Sequence, residues 1–180
     1  MEKTLYKNVD ICDLKSIMEK GILSMDESQN DNWEDGKRAD NDTSVVYLFD
    51  PIKHTSFPKY GVALLEVEAE AEVNMMGERD IHKNDYIEYI TEKVASEKIK
   101  RVIIPELFKE YIEIPEGIEI TWCGIEAEIC GKNGLEKASK DDLEQFAKTA
   151  QLMDCRLDLF FRGLTEKCEV VDLFEVDYIF

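Results

Sequence analysis

The side chain best placed to do chemistry is Glu88. It lies in residues 85–106, DYIEYITEKVASEKIKRVIIPE, among the β-formers Tyr86, Ile87, Tyr89 and Ile90. Val102, Ile103 and Ile104 follow as a second apolar run that Pro105 closes. A carboxylate flanked by strand residues is either an edge-strand charge facing water or an acid held rigidly in a cleft. Most glutamates are of the first kind. Other chemistries find little material. The five cysteines, Cys12, Cys123, Cys130, Cys155 and Cys168, are odd in number and form no CxxC pair, which points to reduced thiols and away from zinc. Two histidines, His54 and His82, leave little for a metal centre or a histidine-based triad. No GxSxG elbow supports a serine hydrolase.

Charge is the most unusual quantity. Forty acids face 22 bases, a net charge of −18. Such a field repels nucleic acid and anionic lipid and attracts basic surfaces, including those of nucleic-acid-binding proteins. Plain solubility is the alternative reading of the same charge. Glu66, Glu68, Glu70 and Glu72 alternate with Val67, Ala69, Ala71 and Val73, so one strand face is anionic and the other dry. Carboxylates on one strand face recur every ~6.6 Å, about half the density of phosphates at ~3.4 Å along a DNA strand. Mimicry of DNA therefore needs a second acidic row, for which Glu113, Glu116, Glu119, Glu126 and Glu128 are candidates.

The elements that must position these groups can be read in order. A chain of 180 residues with 44% hydrophobic content is long enough and apolar enough for one folded domain. No apolar run approaches the ~20 residues of a membrane span, and MEKTLYKNVD lacks the apolar core of a signal peptide, so a cytoplasmic protein is expected. Residues 4–6 read as a strand, followed by a helix capped by Asp10 or Asp13, with Ile11, Leu14, Ile17 and Met18 on one stripe and Gly21 as its stop. Residues 24–43 have loop composition and carry Trp33, Lys37 and Arg38. Residues 44–49 are a strand, 60–73 a long one, 85–90 and 99–104 two more, and 118–122 another. From about Cys130 the character changes. Residues 131–137 read as a loop, Ser139 and Asp142 start an amphipathic helix running to about 154, and 169–180 form a terminal strand. The boundaries are a core of residues 1–130 and a C-terminal helix–strand elaboration, 131–180.

Laid end to end, residues 4–104 resemble the ADP-ribosyltransferase-like fold, the group that includes DarT-type DNA ADP-ribosyltransferases and RNA 2′-phosphotransferases. LYKNVDICDLKSIMEKGIL is similar to the opening LYRG or LYHG strand, helix and Gly. VVYLFDP is similar to the second motif's strand, YGVALLEVEAEA to the next long strand, and NDYIEYI with IKRVIIPE to the acid-bearing strand and its successor. The resemblance implies an α+β domain, a split β-sandwich with few helices, binding NAD in its cleft. It places Lys7 where an Arg or His grips the dinucleotide, Tyr47 at the second motif and Glu88 as the catalytic acid. Arg38 is the loop candidate for the pyrophosphate. A fixed carboxylate would lower the barrier as positive charge builds on the departing ribose. The sequence departs from the pattern in several places. Lys7 lacks the fork of Arg, Asn8 replaces a small Gly, no Ser-Thr-Ser is present, and Tyr86 stands where a second acid is common.

The reading from another class is a non-catalytic acidic inhibitor of phage or mobile-element type. Anti-CRISPR proteins that fill a defence nuclease's nucleic-acid channel are an example. An enzyme needs Lys7, Tyr47 and Glu88 to converge on one concave site. An inhibitor needs an anionic face and salt-sensitive binding.

Overall fold

A computed structural model describes residues 1–29, 41–56, 61–75, 84–131, 134–151 and 175–180. It is a mixed α/β protein, with one mostly open sheet of nine strands among the described residues and few helices. In chain order these are β1 (Lys3–Val9), α1 (Leu14–Lys20), α2 (Met25–Ser28), β2 (Val46–Pro51), β3 (Ala63–Ala69), β4 (Glu72–Val73), β5 (Tyr86–Thr91), β6 (Ile99–Pro105), β7 (Thr121–Gly131), β8 (Gly134–Lys137), α3 (Lys140–Gln151) and β9 (Glu175–Ile179). The sheet runs β4-β5-β2-β1-β3-β6-β7-β8, and β9 pairs with β7. No described helix is long and apolar enough to cross a membrane.

Strand periodicity divides the interior cleanly. Leu5 and Val9, Val46 and Leu48, Ala63, Leu65 and Val67, Tyr89, and Val102 and Ile104 join α1's Leu14 in the main core on one face. Their strand neighbours Phe49, Leu64 and Ile103, with Tyr6 and Tyr86 against them, form a second core on the other face with Cys123, Ala127 and Tyr178. Successive strand side chains point to opposite faces, so each central strand contributes to both cores.

Two features differ from the sequence expectation in a way that matters below. Residues 60–73 do not make one strand. β3 ends at Ala69, and after Glu70 and Ala71 the chain takes a new partner, Glu72 and Val73 of β4 pairing with Ile90 and Tyr89 of β5. β7 is 11 residues long and turns back into β8, where 131–137 read as a loop. The C-terminal strand is built into the sheet, Ile125 of β7 pairing with Tyr178 of β9.

The sheet is unevenly sewn. β1 pairs β3 along its whole length, Lys3–Val9, and β2 pairs β5 from Val46 to Pro51. Between β1 and β2 the register has a single pair, Tyr6 with Phe49. Lys7 bridges this seam, its Nζ donating to the Tyr47 carbonyl oxygen at 3.1 Å.

Gly21 ends α1 at φ 84°, donating its N–H to the Ile17 carbonyl. A Cβ there would stand 2.2 Å from the Val94 carbonyl oxygen, and Val94 pairs with Ile22. The Ser139–Asp142 signature forms as read. The Ser139 N–H donates to the Asp142 carboxylate at 2.8 Å, and the Asp142 N–H to the Ser139 hydroxyl at 3.2 Å. The Ser139 hydroxyl also donates to that carboxylate at 2.6 Å, and this bond first, then the one from the Ser139 N–H, holds the Asp142 carboxyl below the ordinary range.

Candidate functional site

Glu88, Tyr47 and Lys7 lie on the three adjacent strands β5, β2 and β1. Glu88 pairs with Phe49, and Tyr47 lies two residues before Phe49, so both point to the second-core face. Lys7 pairs with Leu65 and lies between Leu5 and Val9, which places its side chain on the main-core face. The strands are brought together, but the three side chains are not. A cation gripping a dinucleotide must share a cleft with the acid, so these residues do not fit NAD in the arrangement that the resemblance implies. Arg38 lies outside the described residues, as do Trp33, Lys37 and His82.

Each of the three is held by its surroundings. The Asn74 side-chain amide donates to Glu88 Oε1 at 2.6 Å, and the Asn74 backbone N–H to the Glu88 carbonyl at 2.9 Å. The Tyr47 hydroxyl accepts the Asp42 N–H at 2.8 Å. Asp42's own carboxylate accepts from the Ser44 hydroxyl and N–H, which holds its pKa down.

Register places Glu88, Phe49, Tyr6, Glu66 and Arg101 in one row across β5, β2, β1, β3 and β6. At its Glu66 end, Arg101 Nε donates to Oε1 at 3.1 Å while Nη2 binds Oε2. The Tyr6 hydroxyl donates to the same Oε2 at 3.4 Å. Burial first, and then the Glu66 charge, push the Tyr6 hydroxyl's pKa up, while the Glu66 bond pushes that of Arg101 up. The rings run Tyr86, Phe49, Tyr6, Phe180 with centroids 6.0, 6.1 and 6.2 Å apart, and Arg101 lies over Phe180 at 4.9 Å. Sequence reasoning gave Arg101, Tyr6, Phe180 and Asn74 no part in a site. The parity of Tyr86 and Glu88 was legible, but the partners across the sheet were not.

The acids sort into neutralised and unneutralised sets. Glu66 pairs with Arg101, Glu68 with Lys100 at 2.9 Å, Glu2 with Lys98, and Glu126 with Lys137 at 2.8 Å. The β3 glutamates thus face bases on β6. By contrast Glu106, Glu110, Glu113, Glu116 and Glu119 are all exposed, and none is ion-paired among the described residues. Between them Leu107, Phe108, Tyr111, Ile112, Ile114 and Ile118 join or pack against the main core. These acids are therefore displayed from an anchored segment. The base within it, Lys109, lies over the Trp122 ring at 5.1 Å.

A cavity of about 200 Å³ opens elsewhere, lined by His54, Glu126, Ala127, Glu128, Lys137 and Asp177. There His54 Nδ1 lies 3.4 Å from Asp177 Oδ2, and the Thr55 N–H donates to Asp177 Oδ1 at 3.0 Å. Among the described residues, one group has metal-like donor spacing: Asp10, Cys12 and Asp13, within 4.8 Å of one another. It mixes hard oxygens with a soft sulfur, a set that selects no ion by softness.

Compared with known proteins, the chain matches no family model, no curated protein and no solved structure.

Proposed function

We propose that this chain is an ADP-ribosyltransferase-like domain, a split β-sandwich in degenerate form, that works as a non-catalytic acidic binding protein. Its partner in this reading is the basic nucleic-acid-binding surface of another protein, the mode used by anti-CRISPR-type inhibitors from phages and mobile elements. The fold assignment draws on the order of the motifs and on the thin seam between β1 and β2, where one registered pair joins two well-paired halves. The loss of dinucleotide grip follows from Lys7, turned to the opposite face from Glu88 and occupied with the Tyr47 carbonyl.

The observation that carries the binding reading is the exposed series Glu106, Glu110, Glu113, Glu116 and Glu119, with no ion pair among the described residues, in a chain of net charge −18. Exposed charges of one sign steer encounter with a basic surface and lose force beyond a Debye length of ~8 Å at physiological salt. The test is displacement of labelled duplex DNA from purified basic DNA-binding proteins, including an RNA-guided nuclease, across a salt series. Displacement that weakens steeply with salt supports the reading, and none at low salt overturns it.

The catalytic reading retains one favourable observation, that Glu88 and Tyr47 share a face on adjacent strands. Nicotinamide release from NAD that Glu88→Gln abolishes would establish it in place of the binding reading.

A further inference from the structure

The cavity beside β9 holds charges that its own wall leaves unbalanced. Lys137 of β8 stands directly across from Glu128 of β7, yet its Nζ bonds diagonally to Glu126 Oε1 at 2.8 Å. Glu128 is exposed and has no hydrogen bond or ion pair among the described residues. Glu126 stands directly across from Asp177 of β9, and like charges so placed destabilise a sheet. Asp177 receives the Thr55 N–H at 3.0 Å and faces His54 Nδ1 at 3.4 Å. The wall thus sets the carboxylates of Glu126, Glu128 and Asp177 against the Lys137 ammonium and the His54 imidazole, with Ala127 as its apolar part.

The spacing selects the kind of cation. These donor atoms do not cluster closely enough to wrap one metal ion, a spacing that among the described residues belongs to Asp10, Cys12 and Asp13. Glu128 and Asp177 are diagonal cross-strand neighbours, and such residues stand ~7–8 Å apart. Two ammonium groups joined by a chain of methylenes span a comparable distance. The cavity of about 200 Å³ equals several water volumes at ~30 Å³ each, room for a short chain of this kind. We propose that this cavity binds a short linear diamine, one ammonium on Glu128, the other on Asp177 and the methylenes against Ala127. The second ammonium relieves the repulsion between Glu126 and Asp177. This site goes beyond the acidic-binding reading above and does not depend on it.

The test is calorimetric titration of the full chain at low ionic strength with 1,4-diaminobutane, butylamine and magnesium chloride, with amide shifts followed by NMR. The diamine should bind about fivefold tighter than butylamine or magnesium, the upper end of what one exposed ion pair contributes. The largest shifts should fall at Ala127, Glu128, Lys137 and Asp177. Glu128→Gln should weaken the diamine about fivefold. Glu19→Gln, which removes the same charge from an exposed position on α1, should leave its affinity unchanged. Lys137→Met, which removes the cation competing for this wall, should tighten it. Butylamine or magnesium binding as tightly as the diamine, or shifts centred away from the cavity, would overturn the proposal and show a general counterion atmosphere. Diamine affinity untouched by Glu128→Gln, or not raised by Lys137→Met, would overturn it as well.

Discussion

Tyr178 offers the sharpest stability test. It is a fully buried residue of β9, and its hydroxyl donates to the Val62 carbonyl at 2.7 Å. Tyr178→Phe removes the donor, leaves the ring in place and strands a carbonyl on a residue that is 1% exposed. Leaving such a group unsatisfied costs about 1–3 kcal/mol. At ~2 kcal/mol the melting temperature should fall by roughly 4–8 °C for a chain of this size. The pH dependence adds a signature that loss of packing would not give. Burial pushes the Tyr178 hydroxyl far above its ordinary value. Above pH ~10 the unfolded chain ionises this group and the folded chain does not, so the native state loses about 1.4 kcal/mol per pH unit. The Phe variant lacks that loss. Its deficit relative to the parent should therefore shrink between pH 9 and pH 11 in urea unfolding monitored by tryptophan fluorescence. A deficit under ~0.3 kcal/mol at pH 8, or one that stays constant to pH 11, would refute the argument that β9 is sealed into the sheet by this bond.

Three further outcomes follow from local geometry. Gly21→Ala should destabilise by about 2–4 kcal/mol, because its φ of 84° and the Val94 oxygen 2.2 Å from the new Cβ leave no room, and hydrogen exchange should quicken at Ile22 and Val94. Ser139→Ala should cost about 1 kcal/mol at neutral pH by uncapping α3, measured by urea unfolding. Because Asp142's folded pKa is depressed, that deficit is expressed above the ordinary aspartate value and should fade as pH drops through the folded one. Alkylation by iodoacetamide at pH 8, followed by peptide mapping, should modify the exposed Cys12 on the order of a hundredfold faster than Cys123, whose thiol burial pushes up to about 11.

Much of the fold was legible because strand parity is a local property. The alternation in residues 60–73 marked the dry and anionic faces correctly through Ala69, and the Ser139–Asp142 signature located the helix start. What failed was long-range. The alternation runs unbroken past Ala69, but the partner changes from β1 and β6 to β5, and nothing local in Glu70 or Ala71 announces that change. The site was less legible for the same reason. Glu88 lies on a strand as read, and Lys7, just past the strand read at residues 4–6, lies within β1, yet whether they share a face depends on pairings with Leu65 and Phe49, far away in sequence. The row from Glu88 to Arg101 likewise exists only once five strands have found their registers. The acidic row suffered in the opposite sense, since Glu66 and Glu68 were visible but the bases facing them from β6 were not.

The most direct test of the central claim is displacement of labelled duplex DNA from a basic RNA-guided nuclease by the intact chain and by a variant with Glu106, Glu110, Glu113, Glu116 and Glu119 all changed to Gln. The account predicts displacement by the parent that declines steeply with salt, and loss of most of it in the five-Gln variant. Equal displacement by the two, or none by the parent alongside nicotinamide release from NAD, would contradict it.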